Sequence, residues 1–198
     1  IQSTGVTHAI PRRDLDISGS TTYDMYKPDY SASKTATSGA NTLFDSTFYF
    51  VTSAYRVYKV LDNNGGTAIT GGTEPTSTDA APFTIGGYTL KYMYTLSTTD
   101  VQNFLTPDFM PAPTAAESGN ALADGRLDII NITTAGVAAS WTTTADRVVT
   151  NVPVRGDGTG GLCSVTIGGT SGANDGQITA VAVTANGTGY THAKLDNS

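Results

Sequence analysis

Alternation of large apolar and smaller or polar side chains over residues 88–96 constrains the fold of this chain more than any other feature. The even positions carry Tyr88, Leu90, Tyr92, Tyr94 and Leu96, and the odd positions carry Thr89, Lys91, Met93 and Thr95. Because successive side chains of a β-strand point to opposite faces of its sheet, the pattern predicts a strand whose five large residues share one core-facing side. A register shift of one residue would bury Lys91 instead.

Similar strand patterns recur along the chain and are separated by turn signals. The other predicted strands cover residues 5–10, 48–52, 55–61, 126–133, 147–154, 162–167 and 178–184. Residues 62–66 read Asp-Asn-Asn-Gly-Gly, which is a strong turn signal, and residues 67–82 form a predicted loop. The 22 glycines and a charged fraction of only 14% fit short strands joined by many turns.

One short helix is predicted directly after the 88–96 strand. Ser97 and Asp100 have the spacing of a capping box, with Asp in place of the usual Glu. Val101, Phe104 and Leu105 then form an apolar stripe, and a proline follows two residues later. We therefore expect a capped helix at about 98–105, which needs packing against its own domain in order to persist.

The predicted fold class is mainly β with minor helix, an α+β chain built from antiparallel β-sandwich-like domains. Prolines at positions 107, 111 and 113, followed by the small and polar residues 114–119, form the best candidate linker. The predicted domains are therefore 1–113, which is β-rich and contains the short helix, and 114–198, which is a second all-β domain or insertion.

Charge and cysteine content exclude several classes of function. The net charge is −6, and Arg12-Arg13 is the only adjacent pair of basic residues, so nucleic-acid binding is not expected. The single Cys163 cannot form an internal disulfide, and its apolar surroundings in the sequence indicate a small buried side chain. No apolar run has the length of a membrane-spanning helix, so no membrane partner is expected.

No residue pattern indicates catalysis, a cofactor or a metal. Most aspartates stand in turn contexts, where the carboxylate caps its own backbone. With two histidines, His8 and His192, and one cysteine, the chain has too few ligands for a structural zinc site. Residues 156–161 match G-x-G-x-x-G, but a strand pattern follows instead of a helix, so we interpret the segment as a hairpin or bulge loop.

The polar, turn-rich segment 14–41 carries three tyrosines as its only large anchors: Tyr23, Tyr26 and Tyr30. Tyrosine is favoured at protein interfaces because a rigid amphipathic ring buries a large area at small entropic cost. The three rings either contact a partner or pack on their own domain, and the sequence leaves both interpretations open. Tyr88, Tyr92, Tyr94 and Phe104 are expected to build the local core.

Two segments of the chain resemble one protein family. Residues 10–14 read Ile-Pro-Arg-Arg-Asp, and residues 55–111 combine two aromatic-rich strands, a Gly/Asn turn, the capped helix and a Pro-bounded exit. These features resemble the baseplate wedge proteins of T4-like contractile-tailed phages, in the form carried by marine and cyanobacterial phages.

The resemblance implies a structural, non-enzymatic subunit of the virion tail baseplate, made in the cytoplasm of the host bacterium. It further implies that the chain is an internal segment of a longer one, incomplete at its C-terminus. The expected partners are other baseplate wedge proteins and a second copy in a homodimer. Arg12 and Arg13 are expected close to a subunit contact. The alternative is a local ion pair with Asp14 and Asp16, which contributes little when exposed.

Two other functions remain as alternatives at this point. A receptor- or glycan-binding tail adhesin would also use Thr/Gly-rich β segments and exposed tyrosines, and a tail-associated glycan hydrolase would use paired carboxylates. The last third of the chain repeats one short pattern, Asp-Gly-Thr-Gly at 157–160 and Asn-Gly-Thr-Gly at 186–189, each beside a strand. Segments of this kind resemble modules found in phage virion proteins.

Overall fold

The computed structural model describes residues 7–26, 44–113, 125–132, 134–136, 144–169 and 174–195. These residues are mainly β, with antiparallel sheets and one α-helix, which confirms the predicted class of a mainly β chain with minor helix. The chain divides into two compact units, Ile1–Leu122 and Ala123–Ser198. The predicted division after residue 113 differs from this one by the segment 114–122, which lies outside the described residues.

The first unit contains a four-stranded sheet, a two-stranded ribbon and the helix. Its elements are β1 His8–Pro11, β2 Tyr49–Val51, β3 Arg56–Asp62, β4 Phe83–Ile85, β5 Tyr88–Thr95, α1 Thr98–Phe104 and β6 Phe109–Ala112. The sheet has the order β2-β3-β5-β4, and β1 pairs with β6. The predicted turn after β3 is present as a 3₁₀ turn, Asn64–Gly66, in which Gly65 adopts φ +65°.

Large apolar side chains pack on both faces of the four-stranded sheet. One core cluster consists of Tyr23, Phe50, Tyr58, Val60, Ile69, Tyr88, Leu90 and Tyr92. The other consists of Tyr49, Val51, Val57, Leu96 and Met110, against which Ile10, Met93, Tyr94, Val101 and Leu105 pack. Neighbouring residues of β2 fall into different clusters because adjacent side chains of a strand point to opposite faces. The ribbon and the helix therefore cover one face, while Tyr23 and Ile69 belong to the core on the other.

A β-bulge in β5 overturns part of the predicted strand pattern. Val57 pairs with Tyr94 and the next residue, Tyr58, pairs with Tyr92, so Met93 is an extra residue in the ladder. Tyr88, Leu90 and Tyr92 share one core as expected, but Tyr94 and Leu96 pack in the other cluster. Lys91 is only 7% exposed, because the face that carries it is covered as well.

The predicted capping box of α1 is present. Asp100 N donates to Ser97 Oγ at 3.1 Å, and the Asp100 carboxylate accepts from Ser97 N at 3.3 Å and from Ser97 Oγ at 2.6 Å. Val101 and Leu105 pack on the second core cluster, whereas Phe104, also expected in the core, belongs to neither cluster of this unit.

Two tyrosines, buried Tyr49 and partly buried Tyr94, fix the β1–β6 ribbon onto the sheet. The Tyr49 hydroxyl donates to Pro11 O at 2.8 Å, and the Tyr94 hydroxyl donates to Pro111 O at 3.2 Å. Burial raises the pKa of both phenols, so they remain protonated donors; for Tyr49 the nearby Arg13 charge opposes the effect. Since proline also lacks an N–H, both strands present poor edges for the addition of another strand.

The second unit is an all-β unit within the described residues. Its strands are β7 Arg147–Pro153, β8 Arg155–Gly156, β9 Thr159–Ile167, β10 Ile178–Thr188 and β11 Ala193–Lys194. One sheet has the order β10-β9-β7, and β11 pairs with β8. The buried core consists of Leu127, Val154, Cys163, Val165 and Tyr190.

The predicted strand over 126–133 is wrong, since residues 125–132 form no strand. Leu127 N donates to Asn186 O, and Ala135 O accepts from Ile178 N, both at 2.9 Å, so the segment is attached near the two ends of β10. Leu127 and Ile130 pack against the core cluster. Apolar residues at positions 127, 129, 130 and 132 do not alternate strictly, and such a segment can bury its side chains without joining a ladder.

The two copies of the short repeat meet at one end of the β9–β10 pair and surround Tyr190. Thr159 pairs with Thr188 there. The Tyr190 hydroxyl accepts from Gly161 N and donates to Val154 O, each at 3.1 Å. A Cβ at Gly158 would lie 2.4 Å from Tyr190 Cγ, so the ring can approach only because this residue is glycine.

Candidate interaction surface

Arg12, the first arginine of the Ile-Pro-Arg-Arg-Asp segment, makes local contacts where β1 ends. Its Nε donates to Asp14 Oδ1 at 2.8 Å, and its Nη1 donates to Thr106 O at 3.3 Å. Its backbone N–H donates to Asp108 O at 2.8 Å. The Arg12 and Asp14 side chains are 28% and 63% exposed, so the Asp14 part of the alternative ion pair is present at the surface. The Asp16 carboxylate instead accepts from Ser18 N and from the Thr21 hydroxyl. Arg12 itself connects the end of β1 to the loop between α1 and β6.

Arg13 positions the segment that precedes β2. Its backbone O accepts from Val51 N at 2.7 Å, and its Nη2 donates to Phe44 O at 3.2 Å. Its Nε is buried and has no hydrogen-bond partner. The guanidinium is therefore partly desolvated and holds the backbone of Phe44 beside the end of β1.

The two arginines lie next to a pair of exposed phenylalanines. Phe44 is 61% exposed and Phe109 is 40% exposed, and their ring centroids are 6.2 Å apart at an interplanar angle of 44°. Phe109 pairs with Pro11 in the β1–β6 ribbon, directly before Arg12. We call Arg12, Arg13, Phe44 and Phe109 the Phe–Arg surface.

The sequence pattern indicates the arginines of the Phe–Arg surface but not its phenylalanines. Phe44 stands in a polar stretch, and Phe109 stands between two prolines in the predicted exit from the helix. Neither residue belongs to an alternating or helical pattern, so the sequence gives it no evident core position. That lack of a core position is the one sequence signal that could have indicated an exposed aromatic residue. Their contact depends on segments 65 residues apart, joined through β1.

Tyr23 packs within its own unit, which is the alternative that the sequence left open. It is 2% exposed, and its ring centroid lies 5.0 Å from that of Phe50. The hydroxyl donates to Asp14 O at 2.8 Å and accepts from Asp16 N at 2.7 Å. Burial raises the pKa of this phenol. Tyr23 therefore stabilises the chain that follows β1 and offers no surface to a partner.

Tyr26 is half-exposed, and Tyr30 lies outside the described residues. The Tyr26 ring is 37% exposed, with its centroid 5.0 Å from that of Phe48 and with Lys59 Nζ 4.1 Å from its own centroid. The ring thus makes a cation–π contact and an aromatic contact within its unit and keeps one side accessible. The three predicted interface tyrosines do not form one surface in the described part of the chain.

Other groups that could react, Asp157 and Cys163, are held in structural surroundings. Asp157 accepts from Thr191 N at 2.9 Å, from His192 N at 3.2 Å and from the Thr191 hydroxyl. These bonds, led by that of the Thr191 hydroxyl, hold the Asp157 pKa well below its usual range. Cys163 is buried, which raises the pKa of its thiol and disfavours the reactive thiolate. The 156–161 segment leads into β9 and not into a helix.

Neither a candidate metal site nor a candidate membrane span occurs among the described residues. No group of three or more His, Cys, Asp or Glu side chains is arranged to hold a metal ion. No helix in the described ranges has the length and apolar character needed to cross a membrane. Comparisons with protein-family models, with curated proteins and with solved structures also found no match.

Proposed function

We propose that this chain is a structural subunit of a contractile-tail baseplate wedge, located in the virion, and that it joins neighbouring baseplate proteins. The resemblance of residues 10–14 and 55–111 to wedge proteins supports the setting. The observation that carries the proposal is the Phe–Arg surface, in which two exposed aromatic rings lie beside the arginines of the family signature.

The chemistry of this surface suits protein contacts. Phe and Arg are enriched in interfaces because they bury large areas and form directional bonds. The backbone of Phe44 is held by Arg13 and that of Phe109 by pairing with β1, so little backbone entropy is lost when a partner covers the two rings. The prolines of the ribbon edges disfavour strand addition, so the partner docks on side chains.

A neighbouring wedge protein is the proposed occupant of the Phe–Arg surface, and a second copy of the chain is proposed as a further contact within the wedge. Two-fold pairing is the commonest arrangement in homo-oligomers. The proposed mechanism involves binding alone: contacts made during assembly are redistributed when the baseplate switches and the tail contracts.

The proposal is tested in phage particles assembled with the double variant Phe44→Ser/Phe109→Ser. We expect the parental chain to be a component of purified tails. The level of the variant in tails should be lower by about tenfold or more, since a few anchor residues dominate interface energies. The matched control is Val148→Ser, which changes a 58% exposed apolar residue in the second unit.

Three results would count against the proposal. The first is absence of the parental chain from purified infectious particles, measured by quantitative mass spectrometry. The second is incorporation of the double variant at the parental level while its thermal unfolding is unchanged. Equal losses for the double variant and the Val148→Ser control would indicate a general folding defect and would also count against the Phe–Arg surface.

A further inference from the structure

The turn between β2 and β3 holds an aromatic residue in a backbone conformation that favours glycine. Tyr55 has φ +59°. Its N–H donates to Thr52 O, and its carbonyl accepts from Leu96 N, both at 2.9 Å. Thr52 N also donates to Arg56 O at 2.9 Å, which closes the turn. The conformation is therefore fixed by the strands on either side.

The remainder of the chain uses other residues where the backbone is left-handed. In the described ranges, positive φ occurs at twelve glycines and at three other residues, which are Tyr55, Asn64 and Asn151. Glycine has no Cβ to clash, and asparagine tolerates this region better than other side chains. Tyr55 is the one described position where a bulky side chain bears the steric cost.

Folding of the unit itself compensates this cost only in part. The Tyr55 side chain is 41% exposed, unlike the buried tyrosines at 49, 58 and 88. A large part of the ring thus remains in water, and the hydrophobic gain of burial is incomplete. A strained residue whose side chain is only partly buried indicates that the side chain is needed for a contact outside the unit.

A carboxylate from another loop braces the turn that presents this ring. The Glu74 carboxylate accepts from Ser53 N at 3.0 Å and from Ser53 Oγ at 2.6 Å. Ala54, between Ser53 and Tyr55, is exposed and adds no charge. The ring is therefore displayed on a rigid turn with a small apolar neighbour, an arrangement that limits the entropy lost on binding.

We infer that Tyr55 is a second anchor for a neighbouring protein, and this inference rests on the proposed function. Unlike the Phe–Arg surface, this anchor is a single aromatic ring with a hydroxyl group. The partner presents an apolar recess that takes the ring, with a hydrogen-bond acceptor such as a backbone carbonyl for the phenol hydroxyl. Tyrosine fits such a recess because its body is apolar and its tip is polar.

The test compares stability with assembly, because the two respond in opposite ways to Tyr55→Asn. Asparagine relieves the left-handed strain, so the melting temperature of the isolated chain is expected to stay constant or rise. Incorporation into purified tail particles, measured by quantitative mass spectrometry, is expected to fall by about tenfold or more, as for loss of an interface anchor. The control, Asn64→Gly, changes another left-handed position in the same unit and should leave both readouts near the parental values.

The outcomes separate this inference from the proposed function. A lowered melting temperature, or parental incorporation of Tyr55→Asn, would overturn the role of Tyr55 while the parental chain still appears in tails. Normal incorporation with about tenfold weaker adsorption of particles to host cells would place the ring against a cell-surface glycan and equally overturn a protein partner. Absence of the parental chain from tails would instead contradict the proposed function.

Discussion

At the scale of single residues, Tyr190 joins several segments of the second unit. Its ring lies against Gly158, and its hydroxyl joins the backbone before β8 to the start of β9 through Val154 O and Gly161 N. A unit whose described residues include five buried apolar side chains in the core cluster depends strongly on such a centre. Gly158 and Gly187, one from each copy of the repeat, leave the space that this ring requires.

Tyr190→Phe should lower the free energy of unfolding of the second unit by about 1–3 kcal/mol. The variant keeps the ring but leaves the buried Gly161 N–H without its acceptor and Val154 O without its donor. Urea denaturation of the full chain measures the change. Tyr55→Phe, which alters a 41% exposed ring, should have almost no effect. Equal stability of Tyr190→Phe and the parental chain would show that water replaces both bonds.

Asp157 makes the stability of the same unit sensitive to acid. Its pKa is held below the usual value, chiefly by the Thr191 hydroxyl and then by the N–H groups of Thr191 and His192. The unfolded state therefore binds this proton first as the pH falls, so the stabilisation is present above about pH 4 and is lost below it. Unfolding between about pH 2 and 5 should show a steeper loss of stability for the parental chain than for Asp157→Asn. A control, Val148→Ser, which changes an exposed apolar residue of the same unit, should keep the parental slope. Identical slopes for Asp157→Asn and the parental chain would contradict this account.

At the scale of elements, the sequence predicted what is determined locally. The capping box of α1 was confirmed because Ser97 and Asp100 are three residues apart and bond each other. The strands at 88–96 and 162–167 were found because alternation is a local property of a strand. The bulge at Met93 was missed, since it depends on the register of β3. β4 and β6 were missed because three or four residues, with Pro111 inside β6, give too short a pattern.

The residues of the candidate site also differ in whether local sequence or long-range packing reveals them. Arg12 and Arg13 could be selected from the sequence because they stand in a recognisable motif. Phe44 and Phe109 could not, because their exposure follows from how the segment before β2 meets the ribbon. Tyr23 had the composition of an interface residue and the position of a core residue, and only the packing of Phe50 and Tyr88 around it decides between the two.

Ser97→Ala tests how far the helix supports its sheet. The substitution removes the acceptor of Asp100 N, which should destabilise the first unit by about 1 kcal/mol. Because Val101 and Leu105 pack on the core cluster around Met110, part of that loss should appear as faster hydrogen exchange in α1. Ser97→Thr, which keeps a capping hydroxyl, should retain most of the stability. Undiminished stability of Ser97→Ala would mean that packing alone maintains the helix.

At the scale of the whole molecule, each compact unit has its own buried core, and the described residues form two clusters in Ile1–Leu122 and one in Ala123–Ser198. Units with separate cores behave as separate folding domains. We therefore expect Ser97→Ala and Tyr190→Phe to act on different transitions. In the double variant their effects should add to within about 0.5 kcal/mol, as for sites that share no partners. Urea denaturation followed by residue-resolved NMR measures both. A single transition shifted by either substitution would show instead that the chain folds as one cooperative body.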